Sequence, residues 1–223
     1  SGANILGLSV SRSGCLAANG RSQMHLSGDF GETWQGILYG KSYGLGDGLA
    51  IKFLSHDDSN QTIIATDANS GDLYYSNNLG KDWESATGLI DIEHSLFEES
   101  FGIHIVEEAT SNPMVLYAGY IQSKIKGQDP HQLDEIEQSP GMYKSIDGGM
   151  SWFPINNGLP DKEYSRNISD IAVSKQNENI VYINSLFDGL YYTVDGGESW
   201  NHLKGELPAG LSWDDCGHTC VNE

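Results

Sequence analysis

Residues 193–200, TVDGGESW, closely match an earlier stretch at residues 145–152, SIDGGMSW. Two more stretches follow the same pattern, SGDFGETW at 27–34 and SNNLGKDW at 76–83. The four octamers begin 49, 69 and 48 residues apart. Because a repeat of about 40 to 50 residues is typical of one four-stranded propeller blade, this spacing predicts four blades. The third repeat is longer than its neighbours by about 20 residues.

The residues around each octamer predict β-strands. In the fourth repeat, ISDIAVSK at 168–175 alternates apolar and polar residues, and two further apolar runs follow between short turns. The Trp that ends each octamer begins a fourth strand. No segment has helical periodicity long enough to cover a parallel sheet, so we predict an all-β fold of four-stranded antiparallel blades. The predicted β-propeller segment covers residues 1–204, with blades at about 4–40, 48–88, 101–157 and 167–204, followed by a Cys-containing tail at 205–223.

The octamers resemble the Asp-box, Ser-x-Asp-x-Gly-x-Thr-Trp, of the bacterial-neuraminidase-repeat (BNR) β-propellers, which include sialidases, xyloglucanases and the luminal domain of sortilin. The first copy matches at every position, and the second departs most, with Asn78 for Asp and Asp82 for Thr. These families build rings of more than four blades. The resemblance therefore implies that the chain is part of a larger ring, or that it completes its ring with another chain or a second copy.

The repeated octamer residues have a structural explanation. An Asp in a tight loop accepts hydrogen bonds from nearby amides, Gly allows a positive φ, and Trp covers the space between neighbouring sheets. One residue in every blade cannot converge on a single catalytic or metal site. We therefore assign a structural role to the Asp-box residues Asp29, Trp34, Asn78, Trp83, Asp147, Trp152, Asp195 and Trp200.

Ligand recognition is expected on the propeller face opposite the Asp-boxes. Loops between second and third strands and between successive blades emerge there, including the insertion SKIKGQDPHQLDEIEQSP at 123–140. Aromatic and carboxylate side chains in these loops can stack on sugar rings, accept hydroxyl hydrogen bonds or ligate calcium, although they are equally typical of solvated acidic loops. The candidate ligand-binding residues are Tyr43, His94, Glu98, Glu99, His131, Asp134, Glu135 and Asp188.

No catalytic constellation emerges from the sequence. A sialidase would need three converging arginines, yet the chain has only Arg12, Arg21 and Arg166, and Arg12 is predicted on the Asp-box face. A xyloglucanase-like glycoside hydrolase needs two facing carboxylates, and the many acidic residues single out no pair. We therefore predict a binding or scaffolding module for a carbohydrate or protein ligand, with such a hydrolase as the alternative and its catalytic residues unassigned.

Composition narrows the partners and the compartment. Twelve Lys and Arg against 31 Asp and Glu give a net charge of −19, which repels nucleic acid and anionic membranes, and no apolar run is long enough to span a bilayer. Cys15, Cys216 and Cys220 favour a disulfide, within the tail or from the tail to Cys15, over a metal cluster with His218. We expect an extracellular, cell-surface or periplasmic protein without a bound metal, with calcium as the one cofactor to consider.

Overall fold

The protein is an assembly of small antiparallel β-sheets. The computed structural model describes residues 5–20, 24–37, 51–54, 62–66, 72–89, 102–121, 141–161, 166–186 and 188–204, and within them the chain forms sixteen strands and no helix. These strands form four sheets of four, each with its strands in chain order and antiparallel. The predicted all-β class, with four-stranded antiparallel blades, is therefore confirmed.

Each sheet is one blade, and its strands run outward from the first to the fourth. The first two blades comprise β1 (Ile5–Val10), β2 (Leu16–Gly20), β3 (Met24–Ser27), β4 (Gln35–Ile37), β5 (Ile51–Phe53), β6 (Ile63–Thr66), β7 (Leu73–Ser76) and β8 (Glu84–Ser85). The last two comprise β9 (Gly102–Glu108), β10 (Leu116–Ile121), β11 (Met142–Ser145), β12 (Phe153–Pro154), β13 (Ile168–Val173), β14 (Val181–Ser185), β15 (Gly189–Thr193) and β16 (Asn201–His202). In every blade the fourth strand begins directly after the octamer Trp, one residue later than predicted.

Strand register defines two ends of each blade. Leu116 of β10 lies opposite both Glu108 of β9 and Ser145 of β11. The turn between the first two strands and the Asp-box therefore share one end, called here the Asp-box end. Ile121 lies opposite Gly102 at the other end, called the opposite end, so the residues between β10 and β11 depart from there.

Apolar side chains of successive blades pack against each other in three cores. One core joins the first blade to the second, another joins the second to the third, and the largest joins the third to the fourth. Because each sheet is apolar on both faces, an inner blade buries two interfaces rather than one. Among the described residues, no such core joins the fourth blade to the first.

Three of the inner strands share an irregularity near the opposite end. The pairing of the first and second strands skips one inner-strand residue in the first, third and fourth blades, and these residues are Leu6, His104 and Ser169. A β-bulge of this kind bends a strand and changes the direction of the side chains beside it. The opposite end of the inner strands is therefore shaped by a repeated bulge.

Candidate functional site

The Asp-box of the third blade is closed by its own hydrogen bonds. The Ser145 hydroxyl donates to Asp147 Oδ1 at 2.8 Å and accepts from the Gly149 amide at 2.9 Å. Asp147 Oδ1 also accepts from the Ser151 amide at 2.9 Å, and Oδ2 accepts from the Ser151 hydroxyl at 2.5 Å. Every bond joins residues at most four apart, so the octamer folds as a local unit.

The first and fourth copies repeat this geometry. Asp29 accepts from the amide and hydroxyl of Thr33 at 2.9 and 2.5 Å. Asp195 accepts from the amide and hydroxyl of Ser199 at 3.0 and 2.6 Å. In all three copies both carboxylate oxygens are therefore engaged within the loop.

The second copy keeps the geometry although its residues differ. Asn78 Oδ1 accepts from the Asp82 amide at 2.9 Å, as the aspartates of the other copies do. Its Nδ2 then donates to Asp82 Oδ2 at 2.9 Å, whereas elsewhere the hydroxyl donates to the carboxylate. Donor and acceptor have changed places between the third and seventh positions, and the number of hydrogen bonds is unchanged.

These hydrogen bonds favour the ionised form of the aspartates. The Thr33 hydroxyl, followed by the Thr33 amide, lowers the pKa of Asp29 to about 2. The Ser199 hydroxyl is likewise the main cause of the lowered pKa of Asp195. Burial alone would raise the pKa of Asp147, but hydrogen bonds from Ser151 and Ser145 outweigh it and the pKa is lowered. Such groups are poor proton donors near neutral pH.

The octamer tryptophans differ in what they contact. Trp152 and Trp200 are buried in the second-to-third and third-to-fourth cores. The Trp200 indole donates across the interface to the Ile155 carbonyl at 2.6 Å, whereas the Trp34 indole donates to Gly31 of its own loop at 3.0 Å. Trp34 is 43% exposed, so in the first blade the Trp covers no described neighbour.

Most candidate ligand residues fall outside the described part of the chain. Asp188 is described, and the seven others, Tyr43, His94, Glu98, Glu99, His131, Asp134 and Glu135, lie outside the described residues. Asp188 is exposed at the opposite end, between β14 and β15, where its carboxylate accepts a hydrogen bond from the Tyr191 hydroxyl. A ring nitrogen of His202 lies 3.0 Å from the Asp188 carbonyl oxygen, and the Tyr191 and His202 rings are 4.8 Å apart.

This small cluster is polar and acidic. Burial, followed by the hydrogen bond with Asp188, raises the pKa of Tyr191 to about 12, so the hydroxyl remains a donor at neutral pH. The Asp188 carboxylate keeps further acceptor capacity because its oxygens offer about four lone-pair sites. The cluster can therefore accept hydrogen bonds from hydroxyl or cationic groups.

Two residues at the same end are absent from the sequence-based candidates. His104 and Ser169 occupy the inner-strand bulges, and burial lowers the pKa of His104. Ser169 and Asn184 are joined by a 2.8 Å hydrogen bond between adjacent strands. The extra residue of a bulge shifts the alternation by one, so the buried Ile168 and Ile171 lie three residues apart, as do Ile103 and Val106. That three-residue spacing is the signal available in the sequence, whereas the prediction from sequence treats these runs as regular strands.

The arginines considered for a sialidase do not form a clamp among the described residues. Arg166 donates to the Pro160 carbonyl at 2.9 Å and lies 3.0 Å from the Asp161 carboxylate, with most of its side chain buried. Arg12 lies in the turn after β1, at the Asp-box end, and Arg21 lies outside the described residues. Arg166 thus already has a carboxylate partner of its own.

Cysteine and metal chemistry are limited in the described part of the chain. Cys15 directly precedes β2 and forms no disulfide with another described residue, while Cys216 and Cys220 lie outside these residues, so their pairing stays a prediction. No group of three or more His, Cys, Asp or Glu side chains able to hold a metal occurs within the described ranges.

None of the described residues forms a helix of the length and apolarity needed to cross a bilayer.

Comparison with known proteins identifies one of the repeats and shows similar folds. The BNR/Asp-box repeat family matches residues 191–202. No curated protein sequence gives a significant match. Three similar structures are an ancestral GH74 enzyme (TM-score 0.66, 16% identity), the GH74 xyloglucanase from Xanthomonas campestris (0.61, 14%) and the extracellular domain of a hybrid two-component system from B. thetaiotaomicron (0.59, 8%).

These similarities cover the chain almost completely but only part of each relative. They span 93%, 92% and 91% of this chain, and 25%, 31% and 22% of the three structures respectively. At such identities the likeness shows the fold alone. Together with the four-stranded sheets, it shows that the chain has a β-propeller fold in which the fourth repeat matches the BNR/Asp-box family and the other three octamers have similar hydrogen bonds.

Proposed function

We propose that the protein is an extracellular binding or scaffolding module that recognises a protein or carbohydrate ligand at the opposite end of its blades. One observation carries the proposal. The carboxylates of Asp29, Asp147 and Asp195 are engaged within their own loops, so the repeated acidic residues stabilise the fold and leave recognition to other groups. The opposite end offers such groups.

The third blade gives the opposite end its asymmetry. Twenty residues separate Ile121 of β10 from Met142 of β11, whereas three separate Ser185 of β14 from Gly189 of β15. Both flanks, Ile121 and Met142, lie at the opposite end. A long connection in one blade of a repetitive fold is typical of a binding element, because the other blades fold without it.

The chemistry of the ligand follows from charge. Asp188 offers an exposed carboxylate, which accepts a hydrogen bond from the buried Tyr191 hydroxyl, and the whole chain carries a net charge of −19. The acidic surface would attract a cationic peptide segment, and the carboxylates would accept hydrogen bonds from a hydroxyl-rich ligand. If the acidic loops bound calcium, the ion would also allow anionic groups of a ligand to bind. An extracellular location agrees with the extracellular domain among the similar structures, although that likeness concerns the fold.

The hydrolase alternative has no residue-level support in the described part of the chain. Two of the similar structures are GH74 enzymes, but identities of 14% and 16% carry the fold and not the active site. The alternative remains a prediction, which the binding experiment also tests.

The test removes the insertion and measures binding separately from folding. Residues 124–139 are deleted and the flanks joined by a short Gly turn. The probes are xyloglucan and other neutral polysaccharides in affinity electrophoresis and a Lys-rich peptide in calorimetry, each with calcium and with a chelator. We expect nearly unchanged melting, because a long loop adds little closure entropy, and at least about tenfold weaker binding of the probe that the parent protein binds.

A matched pair of point variants supplies the control. Asp188→Asn removes an exposed carboxylate from the opposite end of the fourth blade, and Glu198→Gln removes one from the Asp-box end of the same blade. Only the first should weaken binding. Unchanged affinity in both the deletion and Asp188→Asn would contradict the proposed site, and polysaccharide turnover lost in an opposite-end carboxylate variant would show an enzyme instead.

A further inference from the structure

The first blade exposes a face that its neighbours bury. Strand register puts Leu8 at the same position of the inner strand as Ile51, Val106 and Ile171 in the other blades. The three counterparts are 5–7% exposed because each packs against the preceding blade, whereas Leu8 is 65% exposed. We call this side of a blade its leading face. The first blade therefore carries an apolar leading face that no described residue covers.

Trp34 lies on the same leading face. The Trp152 amide donates to the Thr87 carbonyl of the preceding blade at 2.8 Å, and the Trp200 amide donates to Asn157 in the same way at 2.9 Å. The Trp34 amide makes no hydrogen bond with any described residue. The first blade thus presents an indole face and a backbone donor, both in the arrangement that receives a preceding blade.

The fourth blade exposes the complementary half of this interface. Leu203 and Ile155 occupy the same position, because the Leu203 amide bonds to Leu190 and the Ile155 amide to Met142. Ile155 is 7% exposed under the fourth blade, whereas Leu203 is 42% exposed. We call this side the trailing face.

Two aromatic residues extend the trailing face. Tyr182 is 46% exposed and stacks on Tyr192 with ring centres 6.0 Å apart, while its counterpart in the third blade, Tyr117, is fully buried. Apolar surface of this kind is a recognised mark of an interaction site. The trailing face of the fourth blade therefore matches the surface that the third blade uses to hold its neighbour.

We propose that the leading face of the first blade binds the trailing face of the fourth blade of a second copy of this chain, head to tail. The two faces correspond to the two sides of the interface between the third and fourth blades. The sequence after Trp200 supports the match. In the second and third blades, Thr87-Gly88 and Asn157-Gly158 lie against the Trp of the next blade. The fourth repeat has Lys204-Gly205 at the corresponding place in the sequence. Because the surfaces differ, the contact is heterologous.

This interaction is independent of the proposed ligand site, because both faces lie between blades and not at the opposite end. Leu8→Asp places a charge on the leading face, and Leu203→Asp places one on the trailing face. Both side chains are exposed in a single copy, so both variants should fold with the circular dichroism and melting of the parent. Ile146→Asp is the matched control, because Ile146 is 61% exposed on an Asp-box loop away from either face.

Sedimentation velocity over a dilution series measures the association. We expect the parent and Ile146→Asp to associate with concentration, and each face variant to associate at least about tenfold more weakly, because docking would bury an unpaired charge. A parent that stays monomeric at every concentration would overturn the proposal. So would an Ile146→Asp variant that loses association as completely as the face variants.

Mixing the two face variants tests the head-to-tail arrangement. Leu8→Asp keeps an intact trailing face and Leu203→Asp keeps an intact leading face, so one interface can form between them. We expect a heterodimer of about twice the 24.3 kDa chain mass that does not grow further. A mixture that remains monomeric while the parent associates would show that the contact uses other surfaces, and would also overturn the proposal.

Discussion

At the third position of the second Asp-box an amide stands where the other copies have a carboxylate, and the loop keeps its shape. Asn78 donates to Asp82 at the place where Ser151 donates to Asp147. The loop therefore requires a donor and an acceptor facing each other across positions three and seven, and either residue can supply either one. A residue that departs from the consensus is accommodated by a partner that departs in the opposite sense.

This reciprocity gives a double-mutant cycle. Asn78→Asp should lower the free energy of unfolding by about 1–2 kcal/mol, because it places two carboxylates where a hydrogen bond now lies. Adding Asp82→Ser recreates the Asp147–Ser151 pairing and should recover most of the loss, with a coupling energy of about 1–2 kcal/mol. Urea unfolding of the parent, both single variants and the double variant measures the cycle. Additive effects would contradict the exchange.

At the scale of the elements, the blades are joined by the Trp that precedes each outer strand and by the segment that follows the previous outer strand. A Cβ added at Gly158 would lie 2.3 Å from the Trp200 carbonyl oxygen, and one added at Gly88 would lie 1.9 Å from that of Trp152. The chains approach this closely because Gly has no side chain, and the amide-to-carbonyl bonds follow from the approach. The interface is therefore built from both backbone and indole contacts.

The same substitution should have different costs in different blades. Trp200→Ala removes a buried indole and its hydrogen bond to Ile155, and should cost about 3–5 kcal/mol. Trp34→Ala removes a half-exposed indole that no described blade covers, and should cost about 1 kcal/mol. Denaturant unfolding at low protein concentration, where the chain is monomeric, compares the two. Equal losses would show that the octamer Trp acts within its own loop.

At the scale of the whole molecule, an excess of acidic residues coexists with carboxylates that stabilise the fold when ionised. The net charge of −19 produces self-repulsion, which tends to destabilise a compact state. Asp29, Asp147 and Asp195 have lowered pKa values because their own loops donate hydrogen bonds to them. Acidification therefore relieves repulsion and at the same time weakens the Asp-boxes.

A comparison of variants separates these two effects. A group whose pKa is lowered in the folded state stabilises above its unfolded pKa, and this contribution is lost as pH falls through the folded value. For Asp29 these values are 3.8 and about 2. The difference in unfolding free energy between the parent and an Asp29→Asn, Asp195→Asn variant should therefore be constant above about pH 5 and shrink between about pH 4 and pH 2. Urea unfolding across this range measures it, and a difference that stays constant down to pH 2 would contradict the prediction.

The sequence by itself determined the repeat, the all-β class and the four-stranded blades. Each octamer is held by hydrogen bonds between residues no more than four apart, as between Asp147 and Ser151, so its fold is encoded locally. The number of octamers and their spacing therefore predict the number of blades. The recognition site stays a prediction. Asp188 lies at the opposite end of its blade, its role in binding is a proposal, and the remaining candidates lie outside the described residues.

Only the tertiary structure decided which of these similar units are partnered. Trp34 and Trp200 end matching octamers, yet Trp34 is 43% exposed and Trp200 is 4% exposed, because Trp200 packs against the third blade whereas no described residue covers Trp34 in this way. The bulge at His104 also became clear only from the structure, since it is defined by the pairing of its strand with the neighbouring strand. Local hydrogen bonds can be predicted from residues that are neighbours in the sequence. The burial of a side chain depends on which surfaces pack together, and these surfaces are formed by residues far apart in the chain.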